Sequence, residues 1–210
     1  MHVYTAQVVG ELLNACNSRI WYARILCAKT TAMRRGEILN LHLDDVDFKN
    51  DIIYVQPKEN AKDTWHFEPK DNELRELPLV SDLKELLLEL KACLPKEQPY
   101  YMIPADRYAR VIEMKRRGIL KDRLETCPDE NWRQPFERIK DRADVVKGTF
   151  HDLRRTCITE WLESGLKPHE VMRLAGHSDI ETTMTYYAAI RRELTDKARA
   201  ASKKCLVAAA

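Results

Sequence analysis

Apolar residues recur at helical spacing along most of the chain and at strand spacing along one central stretch. After Thr5, the apolar positions Val8, Val9, Leu12 and Leu13 recur every three or four residues, which predicts an amphipathic helix capped by the threonine. The same period predicts further helices over residues 19–29, 34–41, 81–94, 107–117, 132–142, 149–164, 168–175 and from 178 onward.

Between residues 46 and 79 the pattern changes to short runs rich in apolar and β-branched residues. These runs cover residues 46–48, 52–55, 64–67 and 74–79. Runs of this length, bounded by turn residues, are typical of antiparallel strands. The chain is therefore predicted to be α+β but mainly α, with three or four short strands forming a small sheet between helices.

The helices near the C-terminal end carry the clearest start and stop signals. Thr149, followed three residues later by Asp152, is a capping-box pattern, and residues 178–181 contain a second one. Gly176 follows the apolar positions of the preceding helix and is expected to end it. His177 is therefore expected at a tight turn between two helices.

Composition indicates a soluble globular protein. Of the 210 residues, 44% are hydrophobic and 32% are charged, which excludes the disordered and membrane classes. No apolar run reaches the roughly 20 residues that a membrane-spanning helix needs, and residues 1–14 lack the features of a signal peptide. These properties predict a cytoplasmic protein without a membrane partner.

The cysteines do not indicate a disulfide framework or a zinc site. They are scattered, without a CxxC pair or a regular spacing, and most are expected to be small buried residues: Cys16, Cys27, Cys93, Cys127, Cys157 and Cys205. No metal and no cofactor is predicted.

The net charge of +2 does not by itself indicate nucleic acid, because DNA binding needs clustered cations. Arginine is doubled at residues 34–35, 116–117, 154–155 and 191–192. A cleft lined by some of these pairs would be strongly positive, whereas solvated helix faces account equally well for residues 116–117 and 191–192.

Five side chains supply the groups that metal-free cleavage of a phosphodiester requires. Arg34 and Arg154 offer planar donors for phosphate oxygens. His151 and His177 could bind phosphate or transfer protons, and Tyr186 offers a nucleophilic phenol. Each residue alone has a commoner structural role, as a surface ion pair, a helix cap or a core aromatic. Only their combination points to chemistry.

In this combination the chain resembles the tyrosine recombinases, the phage-type integrases, over nearly its whole length. Residues 31–37, Thr-Ala-Met-Arg-Arg-Gly-Glu, match the family's Thr-Gly-(Leu or Met)-Arg-x-Gly-Glu box, and residues 151–154 match its His-x-Leu-Arg box. Residues 177–186 match the box that runs from a His-Ser pair through Thr-Thr to the tyrosine, with the family's nine-residue interval. The resemblance implies that Arg34, Arg154, His151 and His177 hold the scissile phosphate, that Glu37 supports them, and that Tyr186 is the nucleophile.

The family also carries a catalytic lysine on a β-hairpin, eight residues before a Pro-Leu pair and five before an arginine. Lys70 fits this interval to Arg75 and Pro78, so the resemblance makes Lys70 the candidate that protonates the departing 5′ oxygen. Lys58 and Lys62 lie on the same predicted hairpin and compete with it.

The chain departs from the family pattern in two places. Ala32 stands where the family usually has glycine, which affects the turn before Arg34 without removing a reacting group. The family's N-terminal DNA-clamping domain is also expected to be absent from these residues, since only about thirty residues precede Arg34. Residues 1–210 are therefore expected to be one catalytic domain, either excised from a longer protein or solitary.

The resemblance implies a mainly helical domain with a small antiparallel sheet at one edge. It implies a site-specific recombinase that cleaves and rejoins DNA through a 3′-phosphotyrosyl intermediate, without metal or nucleotide cofactor. Its implied partners are double-stranded DNA, three further copies of the chain in a homo-tetramer and, in some systems, accessory DNA-bending proteins. Its implied location is the cytoplasm, on the nucleoid when it is bound to DNA. Residues 191–206 are a candidate arm for docking a neighbouring protomer.

Two alternatives remain open from the sequence. A type IB topoisomerase shares the chemistry but rejoins the same strand, and the Gly-His-Ser turn and the spacing from the hairpin to the tyrosine favour the integrases over it. A catalytically inactive DNA-binding regulator could use residues 168–187 as a recognition element, but all the matched catalytic positions are filled.

Overall fold

The computed structural model describes residues 2–70, 74–118 and 131–207, and in the last helix it describes only some of the side chains beyond Arg192. The chain divides into two compact units, Met1–Cys157 and Ile158–Ala210. No helix among these residues is long and apolar enough to cross a membrane.

The architecture is mainly helical, as predicted. The first unit contains α1 (Ala6–Asn14), α2 (Arg19–Thr31), α3 (Arg35–Leu39), α4 (Ser81–Cys93), α5 (Ala105–Arg116), α6 (Arg133–Arg142) and the start of α7 (Phe150–Glu163). The second unit contains the end of α7, then α8 (Pro168–Ala175) and α9 (Ile180–Val207). The helix expected over residues 107–117 begins two residues earlier. The sequence also predicts a loop through Pro128, which lies outside the described residues.

The first unit also holds a three-stranded antiparallel sheet in the order β1 (Val46–Asp47), β2 (Ile52–Val55), β3 (Arg75–Pro78). Ile53 pairs with Val46 on one side and with Leu77 on the other, and all three side chains are buried. Because alternate side chains of a strand face the same side of a sheet, this register places the apolar side chains in the core.

The fourth strand, expected over residues 64–67, is not formed. In this stretch an isolated bridge joins Phe67 to Lys58. Trp65 packs in the core and does not pair with a neighbouring strand. Its indole is fully buried, stacks on Tyr100 with ring centroids 4.3 Å apart, and donates a 2.7 Å hydrogen bond from Nε1 to Asn40.

A cluster of aromatic rings joins α2, α6 and the start of α7. Trp132 lies with its ring centroid 5.3 Å from Trp21 and 4.7 Å from Phe150. The Arg24 guanidinium lies 4.4 Å above the Trp132 ring, and its Nε donates to the Met102 carbonyl at 3.1 Å. Cation–π contact and hydrogen bonding together make this buried arginine tolerable in the core.

The predicted helix ends are confirmed at Thr149 and corrected at residues 178–181. The backbone N–H and the hydroxyl of Thr149 both donate to Asp152, at 2.7 and 2.8 Å. At the start of α9, however, Asp179 and not Ser178 provides the cap, because its carboxylate accepts the Glu181 N–H at 2.9 Å.

The cysteines differ in burial. Cys27 and Cys157 are buried, as expected for small core residues, whereas Cys93 is exposed and Cys16 is half-buried. Cys127 and the side chain of Cys205 lie outside the described parts of the chain.

Gly148, which precedes α7, is predicted to be intolerant of a side chain. Its φ is +100°, and an added Cβ would lie 2.3 Å from the Tyr4 hydroxyl. Tyr4 cannot easily move, because its backbone N–H donates to Thr156 at 2.9 Å and its hydroxyl donates to the Thr149 carbonyl at 3.1 Å. We expect Gly148→Ala to lower the free energy of unfolding by about 3 kcal/mol or more, the sum of backbone strain and overpacking.

Gly165 is the matched control for this substitution. Its φ of +103° is nearly the same, but nothing lies within 4 Å of an added Cβ, so Gly165→Ala should cost only the backbone strain, about 1–2 kcal/mol. Urea unfolding followed by tryptophan fluorescence measures both variants. Equal losses would show that the Tyr4 contact adds nothing.

Candidate active site

The first matched box forms a tight turn between α2 and α3. Helix α2 ends at Thr31, and the next residue, Ala32, adopts a left-handed conformation with φ 53° and ψ 22°. This conformation explains why the position suits glycine, and alanine occupies it at a modest steric cost. The chain then extends through Arg34, whose backbone N–H donates to the Glu37 carboxylate at 2.6 Å and so caps α3. The departure at Ala32 therefore leaves the turn intact.

Glu37 is the centre of this part of the site. Its buried carboxylate accepts the Arg34 side chain at 3.0 Å and the Arg75 side chain of β3 at 2.5 Å. Burial raises the pKa of Glu37, but Arg75, then Arg34 and then Arg154 outweigh burial and hold the pKa below its usual value. The ionised carboxylate thus orients Arg34 and ties the sheet to the turn.

Arg154 reaches the same turn from α7. It is only 3% exposed, and its Nη1 donates a hydrogen bond to the carbonyl of Ala32, 122 residues earlier in the chain. The surface ion pair that would explain an ordinary arginine is therefore wrong for Arg154. The structure brings the first two boxes together, because Arg154 bonds to the turn that Arg34 follows and both arginines act on the Glu37 carboxylate.

His151 lies one helical turn before Arg154, on the exposed start of α7. Partial withdrawal of the imidazole from solvent lowers its pKa, and the positive charges of Arg154, Arg155 and Arg34 lower it further. The ring is therefore neutral at pH 7 and can donate one hydrogen bond and accept another.

A cavity of about 520 Å³ opens beside this cationic group, and His151 and Arg154 form part of its wall. Its other walls are mostly aromatic or apolar: Met33, Trp132, Phe136 and Phe150. Arg35 and Arg133 add positive charge at the same cavity. Glu137 adds one negative charge, and Thr149 adds a hydroxyl. The first unit thus carries a largely apolar cavity with three arginines and one glutamate along its wall.

The third box lies in the second unit. Helix α8 ends at Ala175, and Gly176 turns the chain in a left-handed conformation (φ 64°). The His177 N–H closes this turn by donating to the Met172 carbonyl at 3.0 Å. The His177 and Tyr186 rings stack with centroids 6.1 Å apart, and both residues are 7% exposed. The predicted placement of His177 at the turn is confirmed.

Thr183 holds His177, and its role was not predicted from the sequence. Its fully buried hydroxyl lies 2.8 Å from Nδ1 of the imidazole. The bond fixes the plane of the ring. The only sequence signal was the threonine pair inside the third box, since a six-residue separation says nothing about a side-chain contact.

Removing the Thr183 hydroxyl is expected to impair a reaction that depends on His177. Thr183→Val keeps the side-chain shape but loses the bond to Nδ1, and a misoriented imidazole should slow DNA cleavage about tenfold. Thr183→Ser should stay within about twofold of the parent chain. Thr185→Val is the control, because the exposed Thr185 hydroxyl bonds only to the helix backbone among the contacts described. Equal rates for both valine variants would rule out the orienting role.

The three candidate lysines differ in environment. Lys58 forms a buried ion pair with Asp45, at 2.6 Å between Nζ and Oδ1. Lys62 is exposed within the loop between Lys58 and Phe67. Lys70 is also exposed, at the end of the described part of the hairpin, and follows the buried Pro69. Because Lys58 is occupied by a carboxylate, the structure favours the two exposed lysines.

The predicted site residues thus form two groups, one in each unit. Arg34, His151 and Arg154 gather around one turn of the first unit, and Lys70 follows a loop of the same unit. His177 and Tyr186 stack on each other in the second unit. Within the described residues, no three histidine, cysteine, aspartate or glutamate side chains lie close enough to hold a metal ion.

Comparison with curated proteins finds recombinases. A XerC-like tyrosine recombinase of Caldanaerobacter subterraneus is 26% identical over 199 residues, which cover 89% of this chain and 50% of the relative. A XerA tyrosine recombinase of Thermococcus onnurineus is 31% identical over 156 residues, which cover 73% of this chain and 45% of the relative. The chain spans about half the length of the curated relatives it matches.

Solved structures share the fold. A XerA recombinase superposes with a TM-score of 0.65 at 19% identity, over 94% of this chain and 64% of that one. The integrase of transposon Tn1549, solved with circular intermediate DNA, superposes with a TM-score of 0.64 at 18% identity, over 93% and 66%. The catalytic domain of bacteriophage HP1 integrase gives a TM-score of 0.60 at 19% identity, over 90% and 88%.

These neighbours show the fold of a tyrosine recombinase catalytic domain. The sequence itself matches the phage integrase family over residues 2–193. With nearly the whole chain inside that match, the protein belongs to the phage integrase family.

Proposed function

We propose that this chain is the catalytic part of a site-specific DNA recombinase. The observation that carries the proposal is the convergence of Arg34 and Arg154 on one turn beside His151. Two guanidinium groups, fixed by a carboxylate and by a backbone carbonyl, form a preorganised site for an anion. A phosphodiester of DNA is the anion that the family acts on.

In the proposed cleavage step, Tyr186 attacks the scissile phosphorus. Arg34 and Arg154 hold the nonbridging oxygens and neutralise the charge that develops on them. His151 and His177 donate further hydrogen bonds to the phosphate, and the phenolic proton passes to water. The bond from phosphorus to the 5′ oxygen breaks, and the DNA remains joined to Tyr186 through its 3′ phosphate.

Lys70 is proposed to give its proton to the departing 5′ oxygen. An alkoxide is a poor leaving group, so a proton donor contributes about 10²- to 10⁴-fold to such a step. The ion pair of Lys58 with Asp45 supports Lys70 over Lys58. The interval to Arg75 and Pro78 supports Lys70 over Lys62, which is equally exposed. Attack by a 5′-hydroxyl on the phosphotyrosine then reverses the step, and a hydroxyl from a second duplex yields exchange.

The proposed partner is double-stranded DNA, bound by four protomers across two sites in the cytoplasm. The excess of arginine over glutamate along the cavity wall beside His151 and Arg154 supports binding of the phosphate backbone. The Tn1549 integrase, a neighbour in fold, was solved with DNA. Recombination is preferred over supercoil relaxation because the curated relatives are named recombinases.

Covalent capture tests the proposal without knowledge of the target sequence. The chain is incubated with a library of nicked duplexes whose central sequence is randomised. Cleavage close to the nick releases a short fragment that carries the 5′-hydroxyl, so rejoining is prevented and the protein stays attached to the 3′ phosphate of the remaining strand. We expect an adduct that resists detergent, and sequencing of the captured DNA then identifies the site.

The same captured sequence separates the alternatives. Placed on two plasmids, it should support strand exchange; relaxation of supercoils without exchange would favour a topoisomerase. Binding without any adduct, at every protein concentration, would favour an inactive DNA-binding regulator and would refute the proposed cleavage.

A further inference from the structure

The connection between β2 and β3 is unusually long and is closed on itself. It runs over residues 56–74, whereas hairpin connections commonly have 2–5 residues. Within it, the Lys58 N–H donates to the Phe67 carbonyl at 2.8 Å, and the Phe67 N–H donates back to Lys58 at 3.0 Å. Residues 59–66 therefore form a closed loop, which we call the hairpin loop.

Lys115, on α5, binds the inside of the hairpin loop. Its ammonium group donates to the Asn60 side chain at 2.7 Å, to the Thr64 carbonyl at 2.5 Å and to the Ala61 carbonyl. An ammonium has three N–H donors, so the three oxygens satisfy all of them. Lys115 therefore joins three points of the hairpin loop to α5, and we call this set of bonds the clamp.

Two aromatic residues hold the same loop against the body of the unit. The Tyr108 hydroxyl, two turns before Lys115 on α5, lies 3.0 Å from the Asp63 carbonyl of the loop and 2.8 Å from the Glu97 carbonyl, and shares its one proton between them. Trp65 is buried and donates to Asn40. The loop is thus fixed to α5 and to the core, and its exit at Phe67 has a defined position.

Lys70 lies only three residues beyond that exit, and the intervening Pro69 is buried. A chain of three residues, one of them a proline with a fixed φ, leaves little freedom between the clamped loop and the lysine. The clamp therefore controls where the exposed ammonium of Lys70 can reach.

We propose that Lys115 is a positioning residue for DNA cleavage: by fixing the hairpin loop to α5, it sets the place from which Lys70 protonates the leaving 5′ oxygen. The inference rests on the proposed role of Lys70. It assigns a function in the reaction to a residue outside the three matched boxes and outside the phosphate site.

The test uses substrates that differ in one atom. The captured duplex is prepared with either oxygen or sulfur at the bridging 5′ position of the scissile phosphate. A thiol has a pKa near 8.5, far below that of an alcohol, so the sulfur leaves as a thiolate without a proton donor. A variant that is defective only in protonation should cleave the sulfur substrate normally.

We expect Lys115→Met to cleave the oxygen duplex about tenfold more slowly than the parent chain and the sulfur duplex within about twofold of it. Lys70→Ala should lose about 100-fold or more on oxygen and recover on sulfur. Combining the two substitutions should add nothing to the loss of Lys70→Ala, because both act on one proton transfer. Lys115→Gln replaces Lys115→Met if the methionine variant does not fold.

Arg117→Met is the matched control. Arg117 follows α5 and pairs at 2.7 Å with Glu113 of the same helix, so its loss removes a positive charge without touching the hairpin loop. Both duplexes should be cleaved at the parental rate. A loss equal to that of Lys115→Met would indicate that charge, and not the clamp, is responsible.

Three outcomes distinguish the failures. If Lys70→Ala stays slow on the sulfur duplex, the proposed role of Lys70 is wrong. If sulfur rescues Lys70→Ala but Lys115→Met is equally slow on both duplexes, Lys115 only stabilises the fold or the DNA complex. If Lys115→Met cleaves both at the parental rate, the clamp has no part in the reaction.

Discussion

Tyr186→Phe is expected to abolish the covalent adduct with DNA, lowering its rate of formation by about 10⁴-fold or more. Phenylalanine keeps the ring that stacks on His177 at 6.1 Å but has no oxygen to attack phosphorus. The fold should be retained, because the substitution removes one atom and leaves the packing unchanged. Gel detection of detergent-resistant adduct on the captured duplex measures the effect.

Tyr187→Phe is the control for the adjacent tyrosine. Tyr187 is half-buried, and the Arg191 guanidinium lies 5.8 Å from the centre of its ring. The substitution preserves this contact. The adduct should form within about threefold of the parental rate, since the contact is an exposed cation–π interaction of modest strength. An adduct that persists in Tyr186→Phe and disappears in Tyr187→Phe would show that Tyr187 is the nucleophile.

Local sequence signals predicted the secondary structure correctly where the hydrogen-bond partners of the backbone lie within a few residues. The capping of α7 by Thr149 and Asp152 and the left-handed turn at Gly176 each depend on groups within a few residues. The failed strand at residues 64–67 shows the opposite case. Trp65 packs on Tyr100 and bonds to Asn40, and such distant contacts override a local strand preference.

The candidate site also has residues that the sequence could place and residues that it could not. The intervals inside each box are local, so Arg34, His151 and His177 could be placed from the sequence. The groups that hold them are mostly distant: Arg75 reaches Glu37 from the sheet, and Lys115 reaches the hairpin loop from α5. No periodicity in a single sequence encodes such pairings, and these supporting residues became visible only in the folded chain.

Arg154→Lys is the second substitution expected to have a large effect. A guanidinium carries five N–H donors in a planar fork, so it can hold the Ala32 carbonyl and a phosphate oxygen at the same time. An ammonium keeps the charge but is a single point on a shorter stem. Arg154 is only 3% exposed, so the packing around it leaves a shorter lysine no room to shift toward both acceptors. Cleavage should therefore fall by about 10²- to 10³-fold.

Arg155→Lys is the control on the same helix. Arg155 pairs with Asp152 at 2.6 Å and is considerably more exposed, and a lysine can keep that ion pair, so the rate should stay within about threefold of the parental value. Noncovalent binding of the captured duplex should be nearly equal for both variants, because each retains its positive charge. If Arg154→Lys cleaves as fast as Arg155→Lys, charge alone suffices at position 154. The fork between the Ala32 turn and the phosphate would then have no part in the reaction.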